Sequence, residues 1–131
     1  MVHVGAISLI AFGGMFGSNL RYGLGAVAGE GLLITILVNG AGSFGLGLLL
    51  FDVRADELLS KRFRYLFGTG FFASFTTYST FIADIAMTGG FTAGGYIIAS
   101  YGAGIGGILM SRHLIDRYST NGVTTAEAGG D

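Results

Sequence analysis

Between residues 4 and 110 the chain carries charge only at Arg21, Glu30, a block spanning 52–64, and Asp84. Long apolar stretches separate these points, and that spacing limits the fold more than any other feature. A helix crosses the hydrocarbon core of a bilayer with roughly 20 mostly apolar residues. Lipid offers no hydrogen bonds, so a crossing segment must satisfy its own backbone. The pattern therefore predicts four transmembrane helices, at about 4–28, 31–51, 65–87 and 92–110, and an all-α integral membrane protein. Only 11% of residues are charged, where a soluble domain carries about 25%.

The joints set the packing. Gly29-Glu30 and 88–91 are very short, which forces neighbouring helices antiparallel. The block from Asp52 to Arg64 reads as a charged, helical interfacial linker. Residues 1–111 form one transmembrane unit, and 112–131 a polar tail expected to be disordered past Tyr118. Met1-Val2-His3 lacks the basic start of a cleavable signal peptide, and the apolar stretch after it is too long for one.

Arginine and lysine in loops orient such a bundle. Arg54, Lys61, Arg62, Arg64, Arg112 and Arg117 fall on the side of the linker and tail, and Arg21 alone on the other. Both termini are expected to be mainly cytoplasmic, in the cell membrane. A net charge of −1 offers no field for nucleic acid. The absence of cysteine removes disulfides, thiolate metal sites and cysteine nucleophiles. His3 and His113 are terminal and no carboxylate pair lies within a span, which argues against an intramembrane enzyme.

Glycine makes up 25 of 131 residues, with no proline and no collagen-like period. Glycine on a membrane helix lets a neighbour approach closely. In span one, Gly13 and Gly17 share a face, and Arg21 follows one turn on. Arg21 either snorkels to the interface or sits as a cation at the mouth of an anion path. In span two, Asn39 lies near mid-membrane. It either bonds a neighbouring helix or donates to a permeating ion. Span three is richest: Ser74 to Thr80 holds six hydroxyl residues in seven positions, and Tyr78 and Phe81 share a face. Hydroxyls can bond backbone groups freed where a helix breaks, so a break near mid-membrane is expected there. Asp84 reads as structural. In span four, Tyr96 and Ser100 stand one turn apart, as packing residues or as a hydroxyl track.

Three motifs in order resemble the Fluc/CrcB family of fluoride channels over about residues 5–111. They are Gly13, Gly14, Gly17 and Arg21; Thr35, Val38, Asn39, Gly42, Ser43 and Phe44; and Phe75 to Phe81. The resemblance implies an antiparallel, dual-topology dimer with fluoride paths at its interface. It places Asn39, Thr77, Tyr78, Ser79, Phe81, Tyr96 and Ser100 on the path, with Arg21 at its vestibule. It also implies a structural Na⁺ at the dimer centre, held by the main-chain carbonyls of Ala73 and Thr76. The chain departs from the family at Tyr78, where phenylalanine is usual, at Ala73-Ser74, where two glycines are, and at Asp84, where glutamate is.

The six-to-one basic asymmetry raises a further expectation. The chain inserts mainly one way and pairs with an oppositely oriented paralogue, with a homodimer as the competing arrangement. Two other classes remain to compare. A small multidrug-type exporter needs a carboxylate in span one, which has none. A non-transporting assembly subunit leaves Asn39 and the hydroxyl cluster without a purpose.

Overall fold

The computed structural model describes residues 4–29, 31–51 and 61–127, so the linker expected at 52–64 lies largely outside the described residues. The described chain is all helix. The first helix, α1, is Val4–Ala28, and the second, α2, is Leu32–Phe51. The third, α3, is composite over 61–75: Lys61–Phe63 is α-helical, Arg64–Phe72 is wound as a π-helix, and Ala73–Phe75 returns to α. After an extended residue, Thr76 at ψ 155°, the chain resumes as α4, Ser79–Thr88. The last helix, α5, runs Gly90–Glu127, continuing through Met110 into the polar tail.

Glycine makes the α4–α5 corner possible. Gly89 and Gly90 take φ of +63° and +58°, a left-handed backbone that side chains disfavour. Gly89 closes α4 by donating its N–H to Ile85 O, so a single residue separates two helices.

The helices pack as two seams. In the first, α1 lies on α3 through Gly13, Gly17 and Gly70. A Cβ at Gly13 would strike Leu66 O, one at Gly17 would strike Phe71 O, and one at Gly70 would come within 2.7 Å of Ile10 O. The backbones touch with no side chain between them. Along the π-wound segment, Phe63, Phe67, Phe71 and Phe75 pair every fourth residue, the last two stacked at 5.8 Å. In the second seam, α2 lies along α5. There Gly107 meets Gly40 O, and Gly47 faces the fully buried Ser111.

Little apolar surface is buried within one chain. The apolar window of α2 is 28% buried and that of 90–118 is 17% buried, and both helices are long and apolar enough to cross a membrane. Phe12, Phe16, Val27, Met87 and Phe91 face outward. A water-soluble chain could not sustain that exposure. Lipid or another subunit must cover it.

Candidate functional site

The site begins where α3 stops. In an unbroken helix, the amides of Thr77 and Thr80 would close onto Ala73 O and Thr76 O. Here side chains take both amides. Thr77 N–H donates to Asn39 Oδ1 at 2.7 Å, and Asn39 Nδ2 donates back to Thr77 O at 3.0 Å. That reciprocal pair fixes the orientation of the carboxamide and pins the interruption to α2. The Thr80 amide donates to Thr77 Oγ1 at 3.1 Å, a side-chain acceptor two residues ahead of the first residue of α4. Thr77 Oγ1 in turn donates to Thr80 Oγ1 and shares a hydrogen with Ser79 Oγ. Much of the hydroxyl cluster thus gathers at the head of α4. The carbonyls of Ala73 and Thr76 are left without main-chain donors, although Thr76 Oγ1 donates weakly to Ala73 O at 3.3 Å.

Beside the interruption lies an open groove of about 410 Å³, walled by α2, the interruption and start of α4, and α5. Asn39, Thr77, Tyr78, Phe81 and Ser100 all line it. The Tyr78 and Phe81 rings are 5.8 Å apart, and Tyr101 sets its ring edge-to-face against Phe81 at 5.9 Å and 87°. Tyr78 is 70% exposed, so the groove lacks a wall on its side. Ser100 is only 8% exposed, and its buried Oγ makes no close hydrogen bond, its polar neighbour being the Tyr96 hydroxyl one turn back.

One turn before Asn39 on α2, outside the groove's lining, a second polar cluster joins the helices. Thr35 Oγ1 donates to Asp84 Oδ2 at 2.8 Å, and Tyr96 O–H donates to the same oxygen at 2.9 Å. Asp84 therefore ties α2, α4 and α5 together, the structural role expected of it. Tyr96 is buried, with its ring 5.4 Å from Phe81.

Other expected site residues lie apart. Thr76 lines the groove, whereas Ala73 lines a second groove of about 560 Å³ with Lys61, Arg64 and Tyr65. Ser79 is exposed at the start of α4. Arg21 stands near the end of α1, its Nε buried without a partner. Two residues were passed over as site candidates: Thr35, and Ser43, which lines the groove one turn past Asn39. Their signal was present, since Thr35, Asn39 and Ser43 repeat every fourth residue on one helix face.

Comparison with known proteins follows the same outline. A family model described as CrcB-like protein, Camphor Resistance (CrcB), matches residues 8–112. The chain is 37% identical to Fluoride-specific ion channel FluC 1 of Haloarcula marismortui over 122 residues, 93% of this chain and 94% of that protein. It is 39% identical to Fluoride-specific ion channel FluC 2 of Halobacterium salinarum over 108 residues, 82% of this chain and 84% of that protein. It is also 38% identical to Fluoride-specific ion channel FluC of Oceanobacillus iheyensis over 97 residues, 72% and 74% of the two chains. No solved structure matches.

Proposed function

The chain belongs to the CrcB-like family, and from that premise we propose that it is a fluoride-selective channel of the cell membrane that lowers cytoplasmic fluoride by passive export. Its relatives are named as ion channels, so the chain is not an enzyme. The observation that carries the reading is the groove itself, where Asn39, Tyr78, Phe81 and Ser100 stand together and the buried Ser100 hydroxyl makes no close hydrogen bond.

Fluoride is small and strongly hydrated, so a narrow path must replace its water with donors. Ser100 offers its O–H. Asn39 has two N–H groups and spends one on Thr77 O. The rim hydrogens of Phe81 and Tyr78 carry partial positive charge. Each of these is a weak site, and an ion that must leave again needs weak, multiple sites. Among the described residues, no lysine or arginine lines this groove. Thr77 and Ser79 belong to the path mainly by shaping the interruption, and Tyr96 by bracing the groove through Asp84. Arg21 serves the vestibule.

The groove is open where Tyr78 is exposed, so a second subunit would complete it, and the pores lie at the interface of an antiparallel, dual-topology dimer. The interruption of the third span then lies near mid-membrane at the dimer centre. The carbonyls of Ala73 and Thr76 suit a Na⁺ there, because the amides that would have closed onto them bond Asn39 and Thr77 instead. A bound Na⁺ would supply a fixed positive field without a charged side chain.

The six-to-one basic asymmetry supports a second arrangement, pairing with an oppositely oriented paralogue instead of a second copy. Tags on both termini separate the two: equal inside and outside populations support the homodimer, and one orientation supports the paralogue. The channel reading is tested by reconstituting the purified chain in fluoride-loaded liposomes and following efflux with a fluoride electrode, with chloride as control. Fast, fluoride-selective efflux is expected. Equal chloride efflux, or no fluoride efflux even with the paralogue co-expressed, overturns the reading.

A further inference from the structure

We propose that Ser43 is a fluoride-donor station, taking over where the hydroxyls of α5 run out; this rests on the fluoride-path reading above. On α5, Tyr96 and Ser100 stand one turn apart, and the next positions in that register are Gly104 and Ile108. Both line the groove and neither has a side-chain donor. At this level the hydroxyl comes from the opposite wall. Ser43 lines the groove from α2, and a Cβ built at Gly104 would lie 3.6 Å from Ser43 Oγ.

A helical serine ordinarily returns its hydroxyl to a carbonyl three or four residues back. Ser8, Ser18 and Ser111 do so. Among the groove-lining serines and threonines of the described residues, Thr76 and Thr77 are hydrogen-bonded and Ser100 has the Tyr96 hydroxyl beside it, whereas Ser43 makes no hydrogen bond. Ser43 and Ser100 line the same groove from opposite helices, and Ser100 already has a polar neighbour in Tyr96. Past Ser43 the walls turn aliphatic, with Leu46 on α2 and Ile108 on α5. Ser43 is thus the donor an ion meets at the edge of the dry segment.

The test is fluoride efflux from liposomes holding equal amounts of wild-type or variant chain. Ser43→Ala is expected to slow efflux about tenfold, the effect of losing one hydrogen bond to a charged partner. Ser43→Thr keeps the hydroxyl and should keep most of the flux. The sharper variant moves the donor across the groove. Gly104→Ser in the Ser43→Ala background should restore flux, and the 3.6 Å clearance leaves room for it. Gly104→Ala in that background should not restore it. Wild-type flux in Ser43→Ala, or equal rescue by alanine and serine at position 104, overturns the proposal while leaving the channel reading in place. If the wild-type chain passes no fluoride with or without its paralogue, both fall together. Should Ser43→Ala fail to purify as a monodisperse species, Ser43→Cys, with its weak donor, is read the same way.

Discussion

The two seams of this molecule use small residues to opposite ends. Where α1 meets α3, Gly13, Gly17 and Gly70 bring backbone against backbone, and a single added methyl would strike a carbonyl. Where α2 faces α5 and the start of α4, Asn39, Ser43 and Ser100 stand in a groove that the chain leaves open. The first seam has no space, and packing is its whole contribution. The second has space and free donors, so it gives up packing energy for chemistry. In a bilayer, where lipid is as apolar as the helices, close packing must supply what the hydrophobic effect does not. The α1–α3 seam gives the rigid back against which the groove is held.

Substitutions can break the contrast from either side. The largest effect should come from Gly13→Val, which drives a branched side chain into Leu66 O. A loss of about 3 kcal/mol or more is expected, visible as thermal unfolding followed by circular dichroism in detergent, since the chain has no tryptophan. A variant as stable as the wild type would show that the seam is not tightly packed. Next comes Asn39→Leu, which strands the Thr77 amide and carbonyl. It should cost about 2 kcal/mol and reduce fluoride flux about a hundredfold, because it removes a donor and loosens the interruption. Retained flux would count against Asn39 as part of the path. Tyr96→Phe removes one of the two hydrogen bonds on Asp84 Oδ2, and Thr35 keeps the other. A loss of about 1 kcal/mol in the same unfolding assay is the expected outcome. Smallest is Gly5→Ala, where no atom lies within 4 Å of the added methyl. A change within about 0.5 kcal/mol is expected, which separates a glycine that packs from one that does not.

The helical, outwardly apolar character of the chain was legible because charge is so sparse between 4 and 110. The approach of Gly13 and Gly17 to a neighbour was legible too, since four-residue spacing alone puts them on one face. Other features depend on partners distant in sequence. Asp84 takes its hydrogen bonds from Thr35, 49 residues away, and from Tyr96, 12 residues away. Neither pairing has a local signature. The π-winding of Arg64–Phe72 had no signal in residue type or spacing. For Asn39 the sequence left two readings open, a helix-bonding amide or an ion donor, and its geometry accommodates both. One N–H and the oxygen engage Thr77, and the amide still lines the groove. The hydroxyls divide similarly: Thr77, Ser79 and Thr80 bond one another at the head of α4, while Ser100 on α5 makes no close hydrogen bond.

Ser100→Ala offers the most direct test, because a packing role and a path role predict different things for it. Deleting a buried hydroxyl that makes no close hydrogen bond should leave stability nearly unchanged. If Ser100 donates to fluoride, the same change should slow fluoride efflux from liposomes about tenfold, with the unfolding temperature not lowered. Efflux at the wild-type rate from the stable variant would contradict the account, and the groove would lose its claim to be the path.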